Sequence, residues 1–298
     1  MGNKTDLLAE NRKYLEKKQS TSYKIYESVG LLLKPLLTGD VSGFKSTFKR
    51  KKNNIKIRSN TTGKTRHPQI KTKYMNERVA VYTALFGDID SIIEPLVVDA
   101  NCDYYVITDQ DMPDNSIWKK KNVDLSVVDG YSNRQKNRYY KMHAQELFPE
   151  YAYCIYLDSN IYIYGRLSEL IQYVNPESGI GIHNMPNRGN VYEEIYARSL
   201  INPRDIDVLE RQKNDYRKMG FSNEEGMFEC NVIITKAGET SSKIMNRWWE
   251  EYQKYPARDQ VSFPFVLWDL GISQDKIGII GNCVRLNPYF RIKEHVIE

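Results

Sequence analysis

Two oxygen-bearing side chains stand two residues apart in "YCIYLDSNIYIYG", residues 153–165, where Asp158 and Asn160 interrupt a run of β-formers. On an extended backbone, residues two apart point to the same side. An acid and an amide placed so make half of a hard-cation site, with water and substrate phosphates completing it. A cation held that way stabilises a departing diphosphate. Read alone, Asp158, Ser159 and Asn160 are also ordinary turn formers between two strands, because such side chains hydrogen-bond their own backbone.

A second set is cationic. Arg134, Arg138 and Lys141 fall on one arc of a helix beginning at Asn133, beside an apolar stripe of Tyr140, Ala144, Leu147 and Phe148. Three cations on one arc suit a diphosphate, with arginine able to bind it bidentately. The alternative is a solvated charged face.

The elements that position these residues follow from pattern. "RVAVYTALFG", "CDYYVITD" and "VDLSVVDG" read as strands, "NRQKNRYYKMHAQELF" as a helix, then "AYCIYLD", "IYIYG" and "GIGIHN" as strands. The stretches "VYEEIYARSL" and "RDIDVLERQKNDYRKMG" read as helices and "ECNVIITK" as a buried strand. "SSKIMNRWWEEYQKY" carries a broad apolar stripe of Ile244, Met245, Trp248, Trp249, Tyr252 and Tyr255. Strands alternating with helices imply a largely parallel sheet covered on both faces, with ligands at the carboxyl ends of its strands. No internal repeat is present.

The 298 residues suffice for one large α/β domain with an appendage. Residues 1–38 read as an N-terminal helical segment, with Leu7, Leu8, Leu15, Ile25, Val29, Leu32 and Leu33 among charges. Residues 39–76 read as a basic connector, and 77–298 as the main domain. Of 43 Lys and Arg, eleven lie between Val41 and Asn76 with no acidic residue among them, leaving 32 against 38 acidic elsewhere. The basicity is therefore local, and it suits peripheral contact with an anionic membrane or a solvated linker. Nucleic acid fits less well, since the run lacks interleaved aromatics. The cysteines Cys102, Cys154, Cys230 and Cys283 are far apart and read as reduced, apolar residues. No stretch approaches the roughly 20 apolar residues of a membrane span, and the start has no signal-peptide core. The expected setting is cytoplasmic, peripheral at the inner face of a membrane.

From Arg78 to about His295 the chain resembles the family of glycosyltransferase-like proteins typified by plant Golgi enzymes of mucilage and pectin synthesis, which has many bacterial members. The resemblance is carried by "VYTALFGDID", "NRYYKMHAQELFPEY", "YLDSNIYI", "HNMPNRGNVYEE", "FECNVIIT" and "RWWEEYQKYPARDQVSF". It implies a GT-A fold, a mixed α/β sheet flanked by helices, and a nucleotide-sugar donor. It further implies transfer to a hydroxyl of a glycan or lipid-linked glycan, as in bacterial surface polysaccharide or lipopolysaccharide synthesis. A non-catalytic nucleotide-sugar or glycan-binding protein of the same fold is the rival reading.

On that resemblance, Tyr82, Thr83, Ala84 and Leu85 should meet the base and ribose, while Arg138 and Lys141 should meet the diphosphate. Asp158, Ser159, Asn160 and Asn231 complete the donor site. A weaker likeness, to retaining galactosyltransferases of the glycogenin and lipopolysaccharide type, aligns Asp158 with Asn160, Asn231, and the pair Asp259-Gln260, and implies retention of configuration. There the first motif carries two aspartates, so Asn160 supplies less charge to a Mn²⁺ or Mg²⁺ ion. His295 matches the late metal-binding histidine of many GT-A enzymes. Arg258, Asp259 and Gln260 are the expected catalytic group, since a carboxylate near the anomeric carbon can act as base or stabilise developing positive charge. Alternatively Asp259 caps a helix. His183, Arg188, Glu193 and Glu194 are candidates for acceptor or sugar recognition, or else a structural histidine and helix N-terminal charges.

Overall fold

A computed structural model describes residues 74, 76–87, 92–185, 188–201, 203–222 and 226–293. The helical segment, nearly all of the basic connector, and His295 lie outside them. Strand β1 (Val79–Leu85) pairs in parallel with β2 (Cys102–Thr108) and with β4 (Tyr153–Leu157), and β2 pairs in parallel with the two-residue β3 (Lys119–Lys120). Strand β7 (Phe228–Lys236) runs antiparallel to β4 on one side and to β6 (Ile180–Asn184) on the other, and β8 (Gly278–Gly281) pairs in parallel with β6. The seven-stranded order is β3-β2-β1-β4-β7-β6-β8. This is the mixed sheet expected of a GT-A domain. A separate antiparallel pair joins β5 (Ile161–Ile163) to β9 (Phe290–Ile292), so the stretch after Asn160 is indeed a second short strand.

Helix α1 (Asn133–Met142) starts at a capping box, in which Ser132 accepts from Gln135 N while the Gln135 side chain accepts from Ser132 N. It stops at His143, and a short α2 (Ala144–Leu147) follows. Next come α3 (Val191–Ile201), α4 (Ile206–Lys218), α5 (Glu239–Lys254) and α6 (Asp259–Asp269). Tyr82, Tyr156, Phe148, Trp248, Tyr252 and Phe263 belong to the core layer on one face of the sheet. The opposite face is covered by a 3₁₀ segment, Leu167–Tyr173, and by β5 and β9. The five apolar-stripe residues within α5 and Tyr255, which caps its end, are all buried.

The expected strand "VDLSVVDG" is instead a 3₁₀ turn over Leu125–Val128. The Asp124 side chain accepts from Ser126 N at 2.9 Å, which turns the chain and outweighs the β-propensity of its valines.

Gly278 opens β8 where the chain crosses itself: a Cβ there would lie 2.1 Å from Tyr173 O and 2.6 Å from Asn175 N. Both are backbone atoms and cannot rotate away. Gly278→Ala should therefore cost about 1–3 kcal/mol by overpacking, read as a lower urea midpoint with an unchanged m-value.

Candidate active site

The site forms at the carboxyl edge of β1 and β4. Asp158 N donates to Asn231 O at 2.9 Å, and Ile161 N to Asp158 O at 3.1 Å. Asp158, Ser159 and Asn160 therefore make a turn, and the same-side expectation from an extended strand does not apply. The turn reading and the site reading are one structure, since a tight turn clamped between β4 and β5 holds all three residues half-buried at the strand edge. The hydroxyl of buried Tyr156 lies 2.9 Å from Asp158 Oδ1 and 3.0 Å from Asn137 Oδ1. Asn137 Nδ2 in turn donates to Ala84 O at 2.5 Å. Asn137 thus ties the ends of β1 and β4 together, a role that an amide on a polar helix face does not announce.

Asp259, only 2% exposed, organises the cations. Its Oδ2 lies 2.5 Å from Lys141 Nζ and 3.0 Å from Arg138 Nε. Burial pushes the Asp259 carboxyl up, but the charges of Arg138, Lys141 and Arg258 with the Lys141 hydrogen bond outweigh it and hold the group well below the usual carboxylate range. A carboxylate so stabilised is a weak base. Its geometry is that of a counter-ion, not of the expected base. Nor is it a cap: the helix begins at Asp259 itself, and the cap position, Arg258, makes no side-chain cap.

The cationic arc divides. Arg134 is bound bidentately to Asp205, at 2.8 and 2.9 Å, as a structural tie. Lys141, 1% exposed, lies behind Arg138 with its ammonium over the rings of Tyr156 and Trp248. Arg134, at 44%, is more open but committed to Asp205, and of the two cations held by Asp259, Arg138 keeps some solvent access, at 17%. Asp259 and Asp158 both favour its charge against the cost of burial.

Tyr82, expected at the base, is fully buried, with its hydroxyl donating to Lys141 O at 3.0 Å. Ala84 and Leu85 belong to the two core layers, and Thr83 is buried with Oγ1 unpartnered among the described residues. This stretch can meet a ligand only through its backbone end. His183 is also fully buried, Nε2 lying 2.9 Å from Asn287 Nδ2. Burial pushes its pKa down to about 3, so the ring is neutral and presents no surface to an acceptor.

Glu193 accepts from Gly189 N at 2.7 Å while its own N–H donates to Asn190 at 2.9 Å, the helix-start role weighed for it. Glu194 differs. Its carboxylate, 1% exposed, meets Arg188 at 3.0 Å, Arg198 at 2.9 Å and Arg258 at 3.4 Å. The Arg258 contact is an ion pair without an aligned hydrogen bond at Nε. Arg258 also donates to Gln260 Oε1 at 2.8 Å.

No group of three or more His, Cys, Asp or Glu able to hold a metal occurs among the described residues. The donor set at the turn still fits a hard cation shared with a diphosphate, which needs only one or two protein carboxylates. Beside it, Asn231 Oδ1 is buried with no hydrogen-bond partner among the described residues. All four cysteines are free and buried.

The seven-stranded mixed sheet flanked by helices is the architecture of a GT-A-like α/β domain. The chain belongs to the TOD1/MUCI70 glycosyltransferase-like domain family, whose model matches residues 45–293. The match starts inside the basic connector. Among solved structures it is similar to mouse xyloside xylosyltransferase 1 in its apo form (12% identity, 67% of this chain and 83% of that one, TM-score 0.36). It is also similar to the mannosyltransferase Ktr4p of S. cerevisiae (10% identity, 89% and 76%, TM-score 0.36). No curated protein matches the chain. No helix among the described residues is long and apolar enough to cross a membrane.

Proposed function

We propose that the chain transfers a sugar from a nucleoside diphosphate to a hydroxyl of a glycan or lipid-linked glycan in surface-polysaccharide assembly, its basic segment resting on anionic lipid. The observation that carries this is the Arg138–Asp259–Lys141 node set beside the Asp158 turn. Paired through Nε to Asp259, Arg138 keeps its guanidinium fixed for a diphosphate oxygen, with little rotamer entropy left to lose. Asp158 and Asn160 would hold a Mn²⁺ or Mg²⁺ ion, which when bound neutralises charge on the departing diphosphate. Asn231 Oδ1 accepts a hydrogen bond from a sugar hydroxyl. Arg258 and Gln260, tied to each other, line the acceptor side.

The test is calorimetric titration of UDP, GDP, CMP and their sugar conjugates, with and without Mn²⁺, on the wild type and Asp158→Ala. One nucleotide class should bind the wild type and bind the variant roughly 10–100-fold more weakly, the worth of a charge-assisted contact. Absence of binding to folded wild-type protein would overturn the reading. Binding without turnover would favour the non-catalytic binder, toward which the neutral Asn160 points.

A further inference from the structure

Glu229 is the second residue of the antiparallel strand β7. Between Ile182 and His183 of β6 the register on β7 jumps from Ile233 to Glu229, leaving residues 230–232 in a bulge. Bulges re-aim side chains and recur beside active sites. Here the bulge carries Asn231, whose carbonyl holds Asp158, so Glu229 lies two residues, at most about 7 Å of chain, from the residue that anchors the donor turn.

Val284 N donates to Glu229 Oε2 at 2.7 Å and fixes the half-buried carboxyl. No described residue donates to Oε1. The charged and titratable groups facing it are Arg258 before α6, Arg285 and Cys283 in the turn before β9, Glu194 of α3, and its register partner His183. Arg258 therefore pairs with Glu194 at 3.4 Å, acts electrostatically on Glu229, and is next in sequence to Asp259.

We propose that Glu229, through Oε1, is the base that takes the acceptor hydroxyl's proton, an assignment resting on the transferase reading above. As the acceptor oxygen bonds to the anomeric carbon, the bond from that carbon to the diphosphate oxygen breaks. Its electron pair leaves with the nucleoside diphosphate, and the acceptor proton passes to Oε1.

The electrostatics separate Glu229 from Asp259. Burial pushes the Glu229 carboxyl up to about 7, with Glu194 adding to the rise and the Val284 N–H, Arg285 and Arg258 opposing it. A base of that strength is matched to neutral pH, whereas Asp259 is locked as an anion by two cations. Because the folded value is raised, the fold gains most from this group below about pH 4.5, and that stability is lost as pH rises through about 7.

The experiment compares wild type with Glu229→Gln, whose amide oxygen still accepts from Val284 N. It follows nucleoside diphosphate release from whichever UDP- or GDP-sugar binds, with water or p-nitrophenyl glycosides as acceptor. Expected are a kcat lower by about 100-fold or more, donor affinity within twofold, loss of the acid limb near pH 7, and a Tm above that of wild type at pH 8. Turnover within threefold of wild type at unchanged donor affinity removes the base alone, as does donor binding with no turnover in the wild type. No donor binding by the wild type removes the transferase reading, and the base with it.

Discussion

Asp259→Ala should destabilise the fold by about 3–5 kcal/mol, because it leaves Arg138 and Lys141 as buried cations without their anion. At about 2–4 °C per kcal/mol for a domain of this size, the melting temperature should fall by roughly 6–20 °C. Lys141 bears most of the cost, being 1% exposed between the rings of Tyr156 and Trp248, with its ammonium 2.5 Å from the lost carboxylate. The double variant Asp259→Ala with Lys141→Met should recover much of the loss, since an apolar replacement of a buried ion pair is often neutral. Donor binding should stay weak in that double variant, because Arg138 has lost the partner that fixes it. Urea unfolding of the two single variants and the double variant gives the coupling. A loss below about 1 kcal/mol in Asp259→Ala would mean that water already screens the pair.

The same pair sets an acid limit. The folded pKa of Asp259 is depressed, so its stabilisation is present above the ordinary value of about 4 and is lost as pH falls through the folded value. Below about pH 4 the wild type should lose stability steeply, and Asp259→Ala with Lys141→Met should lose less.

How far the site was legible depends on sequence separation. The apolar strands Val79–Leu85 and Tyr153–Leu157 declare themselves through runs of β-branched and aromatic residues. The turn at Asp158 is visible because polar residues cut such a run. The partners of Asp259 are not visible, since Lys141 lies 118 positions away. Whether Asp259 is a base, a cap or a counter-ion is decided by which helix packs across it. Tyr82 shows the reverse limit: a central strand that ends at a ligand edge still buries all seven of its side chains, on both faces of the sheet, and spacing alone does not show that. Glu229 left one trace, an acidic residue at the head of the buried strand "FECNVIITK". A charge there calls for a partner or a function, yet its donor, Val284, is 55 residues further on.

Glu194→Gln should act at a distance on that same carboxyl. Glu194 lies among Arg188, Arg198 and Arg258, and its removal leaves three guanidinium groups facing one another at the start of α3. Those side chains are 22%, 34% and 26% exposed, so water shares the burden. The expected cost is about 2–4 kcal/mol, below that of a fully enclosed pair. Adding Arg198→Ala should return part of it, because Arg198 comes from the same helix and has no other ion pair among the described residues. The electrostatic effect has a definite sign. Glu194 raises the Glu229 pKa and Arg258 lowers it, so neutralising Glu194 removes the first influence and leaves the second. The acid limb of turnover should then move below pH 7 in Glu194→Gln, while Asp158→Ala should weaken donor binding without moving it. A limb that stays in place would show that Glu194 organises the arginines without reaching the group that titrates.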